Sequence, residues 1–132
     1  MSAISPSAIH PPYITLVLGA SENPARYSHI ATHMLREYGH PVVAIGASEG
    51  KIGEVPIQTT IDSLDQSGID TVTLYLGPSR QQPFEEWLLS AKPRRVIFNP
   101  GTENPALAAR LISAGIQPVE ACTLVMLRTQ QY

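Results

Sequence analysis

Five short apolar runs, separated by stretches with helical spacing, constrain this chain more than any other feature. The runs cover residues 14–18, 42–45, 71–76, 96–98 and 117–120. In the first four, β-branched residues are common and apolar residues follow one another instead of alternating with polar ones. That pattern belongs to strands buried on both faces, and the fifth run carries it more weakly. Connections of about 18 to 25 residues are too long for hairpins and suit right-handed crossovers with a helix inside. The sheet is therefore expected to be parallel and five-stranded.

The intervening segments support that reading. Ile30, Ala31, Met34, Leu35 and Tyr38 share one helical face, closed by Gly39 and His40-Pro41. Phe84, Trp87, Leu88 and Ala91 form a second face. Leu107, Ala108, Leu111 and Ile112 form a third, with Asn104 as N-cap, Pro105 at the first helical position and Gly115 past the end. Ile61 and Leu64, after Thr60, suggest a short helix ending near Gly68. Strict alternation of five strands and four helices predicts a three-layer α/β domain over residues 13–132. Residues 1–12 show no period and read as a loose arm.

Composition narrows the function classes. Nine Lys and Arg against eleven Asp and Glu give a net charge of −2, which excludes a general nucleic-acid binder with a basic footprint. The single cysteine, Cys122, excludes an intrachain disulfide framework and a cysteine-rich zinc site. No apolar run approaches the roughly 20 residues of a membrane span. No basic segment leads into an apolar one at the N-terminus. A soluble, cytoplasmic single domain is the expectation.

In open parallel sheets, ligands bind beyond the carboxyl ends of the strands, so the loops after each strand carry the functional reading. The first, residues 19–28, runs from strand to helix. Its Gly19 and Ala20 let a ligand approach the backbone, while Ser21, Asn23 and Ser28 offer hydrogen bonds and Arg26 a fixed positive charge. A helix start attracts phosphate. The plainer alternative is a strand-to-helix turn in which Ser28 only caps the helix. No Gly-x-Gly-x-x-Gly is present and no acid ends the second strand, so a nicotinamide cofactor is disfavoured. A P-loop is absent. The second loop, residues 46–53, carries Lys51, either a solvated charge or an ammonium within reach of a ribose phosphate. The third and fourth, residues 76–80 and 99–104, are small and turn-rich and extend the same edge.

At these residues the chain resembles the small, stand-alone CoA-binding domain proteins, themselves similar to the CoA-binding domain of the succinyl-CoA synthetase α subunit. The resemblance covers nearly all of residues 14–132. It rests on Val17-Leu18-Gly19-Ala20-Ser21 with Asn23-Pro24 and Ser28, on Gly39-His40-Pro41-Val42-Val43, and on residues 50–55, 71–78, 99–104 and 119–122. It implies a five-stranded Rossmann-like domain that holds CoA or an acyl-CoA through its nucleotide and diphosphate. On this resemblance Gly19, Ala20, Ser21, Asn23, Arg26 and Ser28 serve the phosphates, and Ile45, Gly46 and Lys51 serve the adenosine end. Leu76, Gly77 and Pro78, with Asn99, Pro100 and Gly101, line the pantetheine side. Many relatives read Val-Asn-Pro after the second strand, where this chain has Ile45-Gly46-Ala47.

No catalytic constellation emerges beside these residues. His29, His33 and His40 sit in or beside the first helix, and His29 and His33 share a face without an obvious further metal ligand. Neither Ser21 nor Ser28 has an assigned base, so nucleophilic catalysis is unsupported. Glu85-Glu86 reads as a solvated helix face. Cys122 reads as a structural cysteine, with a thiol near the ligand's own thiol as the alternative. The expectation is thus a CoA-binding module without chemistry of its own. The alternatives are an enzyme or subunit acting on a CoA thioester, and a Rossmann-like domain for another nucleotide such as NADP.

Overall fold

The computed structural model describes residues 13–132; the expected arm, residues 1–12, lies outside the described residues. The elements in chain order are β1 (Ile14–Ala20), α1 (Tyr27–Glu37), β2 (Val42–Gly46), β3 (Gly50–Ile52), β4 (Val55–Gln58) and β5 (Ile69–Leu74). They continue with α2 (Pro78–Gln81), a 3₁₀ turn (Gln82–Phe84), α3 (Glu85–Ala91), β6 (Arg95–Phe98), α4 (Pro105–Ser113), β7 (Gln117–Glu120) and α5 (Thr123–Arg128). The strands form one sheet in the order β3-β4-β2-β1-β5-β6-β7. Every neighbouring pair is parallel except β3 and β4.

The expected α/β class and parallel core hold, but the sheet has seven strands instead of five and is mixed. The extra pair lies inside what reads in sequence as one crossover. Gly53 takes φ +60 at the tip of a tight hairpin, a conformation that glycine reaches without steric cost. It reverses the chain between Ile52 and Val55, which face each other across the pair. The helix expected around Ile61 and Leu64 is absent. Only a turn forms there, with Leu64 N–H donating to the Ile61 carbonyl at 3.0 Å. Downstream, Asp65 Oδ1 accepts from both the N–H and the hydroxyl of Ser67, and such side-chain bonds compete with the helical pattern. Ile61 is nevertheless buried in the core, beside the half-buried Leu64.

Burial on both sheet faces explains the continuous apolar runs. Leu16 and Leu18 of β1 pack with Trp87, Leu88, Leu107 and Leu111 from α3 and α4. Val17 and Ala20 turn to the opposite layer, against Leu35 of α1 and Leu127 of α5. The helix ends follow local chemistry. Asn104 Oδ1 accepts from the Leu107 N–H at 3.2 Å, and Pro105 occupies the first turn of α4. At the far end of α1, His40 N–H returns to the Leu35 carbonyl at 2.9 Å across Gly39. Among the described residues no helix is long and apolar enough to cross a membrane.

Candidate ligand-binding site

The carboxyl ends of β1 and β5 open into a cavity of about 660 Å³. Its floor begins where β1 runs into α1. Gly19 takes φ +103, and a Cβ there would lie 3.1 Å from the Leu76 side chain and the Tyr75 backbone. Glycine at this position is therefore needed for β1 and the end of β5 to pass, before any ligand is considered. Beyond it the loop is braced by its own side chains. Ser21 Oγ accepts from the Asn23 N–H, and Asn23 Oδ1 accepts from the Ala25 N–H, both at 3.0 Å. His29 Nδ1 donates to the Ser21 carbonyl at 3.0 Å, which places that ring's proton on Nδ1.

The loop delivers α1 with an open N-terminus. Arg26, not Ser28, is the N-cap residue; its side chain makes no capping hydrogen bond, and no acid lies in the first turn. The His29 N–H turns back to the Arg26 carbonyl at 3.1 Å, which leaves the N–H groups of Tyr27 and Ser28 to an outside acceptor, where the helix field favours an anion. Ser28 lies in that turn and is buried, at the cavity wall.

The opposite wall comes from the loops after β5 and β6, joined by one buried side chain. Gln81 is fully buried. Its Nε2 donates to the Leu76 carbonyl at 2.8 Å and to the Thr102 carbonyl at 2.7 Å. Its Oε1 accepts from Asn104 Nδ2 at 2.8 Å. Leu76 and Thr102 both line the cavity, so the amide sets the spacing of that wall.

Of the residues singled out in the sequence, Gly19, Ala20, Ser21, Asn23, Arg26, Ser28, Leu76, Gly77, Pro100 and Gly101 line this one cavity. The structure places the other five elsewhere. Ile45 is buried in the core. Gly46 is wedged against the Ala20 carbonyl, with no room for a Cβ. Pro78 heads α2, and Lys51 stands exposed on β3. Asn99 lies buried beneath the wall: its Nδ2 donates to Thr73 Oγ1 at 2.7 Å and to the Leu74 carbonyl at 2.8 Å, and its Oδ1 accepts from the Thr123 N–H at 2.9 Å.

Sequence reasoning passed over Glu22, Tyr27, Ala47, Ser48, Tyr75, Arg80 and Thr102, which also line the cavity. Ala47 and Ser48 directly follow β2, and Arg80 lies in the helical turn after β5, so position after a strand was the available signal. Arg26 and Arg80 stand outside the ion pairs among the described residues, which join Arg36 to Glu54, Arg94 to Asp70, and Arg110 to Glu85 and Glu86. The last of these shows that Glu85 and Glu86 face α4 rather than solvent alone. Burial pushes the Tyr75 phenol up to about 12, so it stays neutral at ordinary pH. Its hydroxyl lies near Thr73 and Thr123 but meets neither in hydrogen-bond geometry.

The remaining candidates stand apart. The rings of His29 and His33 lie 4.9 Å apart, tilted, and no group of three or more metal-ligating side chains occurs among the described residues. Cys122 is half-buried at the start of α5, outside the cavity lining. His40 packs against the Tyr132 ring at 4.8 Å, whose other neighbour is the Arg95 guanidinium at 4.5 Å.

At the carboxyl edge of this open, mostly parallel α/β sheet, where such folds take their ligands, the cavity thus joins the start of α1 to two arginines that stand outside the ion pairs among the described residues. The CoA binding domain family matches residues 14–128, and the chain belongs to that family. A crystal structure described as an uncharacterized protein is 41% identical, with a TM-score of 0.86, over 91% of this chain and 98% of that one. A hypothetical protein from Pyrococcus horikoshii OT3 shares the fold at 24% identity and a TM-score of 0.77, covering 89% of this chain and 82% of that chain. The fold also recurs in the dinucleotide-forming acetyl-coenzyme A synthetase 1 of Ca. Korarchaeum cryptofilum, at 18% identity and a TM-score of 0.65. There it spans 83% of this chain but 25% of that one. No curated protein matches the chain.

Proposed function

We propose that the protein is a binding module for CoA or an acyl-CoA, without chemistry of its own. The diphosphate lies over the start of α1, within reach of Arg26 and Arg80. The pantetheine arm follows the wall of Leu76, Gly77, Pro100 and Gly101. The adenosine end lies towards Ala47 and Ser48, and Lys51 reaches from the hairpin to the ribose phosphate. One observation carries the reading: in a member of the CoA binding domain family, Arg26 and Arg80, outside the ion pairs among the described residues, line the same cavity as a helix start without a side-chain cap from its N-cap residue. The net charge of −2 makes the attraction local, since the protein as a whole does not draw anions.

The test is thermal unfolding with added ligand. A ligand at one hundred times its Kd stabilises the native state by about 2.7 kcal/mol, a shift of several degrees for a domain of this size. CoA is expected to raise the Tm, and NAD to raise it far less. Equal shifts from both ligands, or none from CoA, refute the proposal. Mass spectrometry of small molecules co-purified with the protein gives an independent readout.

A further inference from the structure

The end of β2 carries no acid, yet the fold brings one to that corner from another loop. Glu22, in the loop after β1, lines the cavity and crosses to the β3 edge, where its Oε2 accepts the Lys51 backbone N–H at 2.9 Å. Its carboxyl packs directly on Gly50, in space that any Cβ at that position would occupy. This fixes a long, otherwise free side chain at both contact points. Oε2 is engaged; Oε1 has no partner among the described residues. None of the ion pairs among the described residues includes Glu22. In particular the Lys51 ammonium does not pair with it, although its own backbone holds the carboxylate.

We propose that Glu22 is the specificity-determining residue for the ligand's ribose. The assignment rests on the CoA reading above, which puts the adenosine end at Ala47, Ser48 and the hairpin. An ionised carboxylate only accepts hydrogen bonds. A ribose hydroxyl supplies the donor that Oε1 lacks, whereas a phosphate at the same place brings only acceptors and like charge. Glu22 thus weights the site towards a bare ribose, and Lys51, one backbone bond away, weights it towards a phosphorylated one. The balance between them sets how strongly CoA is preferred to dephospho-CoA.

Glu22→Gln separates charge from geometry, because the amide oxygen still accepts the Lys51 N–H while the negative charge is gone. Calorimetry with CoA and dephospho-CoA, at low and high salt, reads the ratio of the two affinities. The substitution should shift that ratio towards CoA by about three- to tenfold at low salt, and by less at high salt, since exposed charges a few ångströms apart are screened. Glu22→Ala, which also frees the hairpin, should shift the ratio in the same direction while weakening both ligands. A Glu22→Gln ratio equal to that of the parent protein, or a shift that salt does not change, overturns the assignment and leaves CoA binding standing. If the parent protein binds neither ligand, the CoA reading itself fails, a different outcome from an unmoved ratio.

Discussion

Replacing Asn99 by alanine separates a wall-supporting role from direct ligand contact. The side chain makes three hydrogen bonds, to Thr73 Oγ1, the Leu74 carbonyl and the Thr123 N–H, at 2.7–2.9 Å, and the residue is only 2% exposed. At about 0.5–1.5 kcal/mol net for each bond, their loss costs roughly 1.5–4.5 kcal/mol, the upper end applying because buried partners are left unpaired. For a domain of this length about 3 kcal/mol corresponds to a fall in Tm of roughly 9–15 °C. Circular dichroism melts with and without CoA measure both roles. The variant should melt far lower, and CoA should still raise its Tm. A fall below about 3 °C combined with loss of the CoA response would show that Asn99 touches the ligand and that its network supports nothing.

Two further predictions concern charge. Arg26→Ala should weaken CoA by about 1.5–3 kcal/mol, the range for a hydrogen bond to a charged group, and Arg80→Ala should weaken it in the same direction; calorimetry showing neither effect would leave backbone amides alone holding the phosphates. Burial, and then the Arg95 charge, lower the His40 pKa from 6.5, so the folded state prefers the neutral ring. The stability this gives is fully present above pH 6.5 and is lost as pH falls through the lowered native value. Denaturant titrations between pH 8 and pH 5 should show that loss, and His40→Gln should flatten the slope; an unaltered slope in the variant would assign it to other groups.

The parts of the fold legible in the sequence are those with a local physical cause. Asn104, Pro105 and Gly115 mark the two ends of α4 through their own backbone chemistry, and the β1 run reads as doubly buried because helices cover both faces of that strand. What was missed depends on tertiary context. β3 and β4 have three and four residues, too few to show a period, and Pro56 argues against a strand except at the hairpin, where Lys51 faces it without needing its N–H. α5 has four buried residues in six, so no polar face signals its pitch, and its start is held by Asn99, the residue after β6. In the site, residues in the first loop were legible because they follow β1 directly. The Glu22 contact was not, since 29 residues separate the partners.

The Glu22 contact also covers an exposed edge of the sheet. β3 is the outermost strand on its side of the sheet, and Lys51 lies opposite Pro56, which has no N–H to exchange. The Lys51 N–H therefore points away from β4, towards the rim. An outward-facing donor on an edge strand is a template for a second chain, and here the Glu22 carboxylate already occupies it. Glu22→Ala uncovers that donor on a strand only three residues long, whereas Glu22→Gln keeps it covered. Size-exclusion chromatography is therefore expected to show more self-association for Glu22→Ala than for Glu22→Gln, with the rim donor uncovered only in the former.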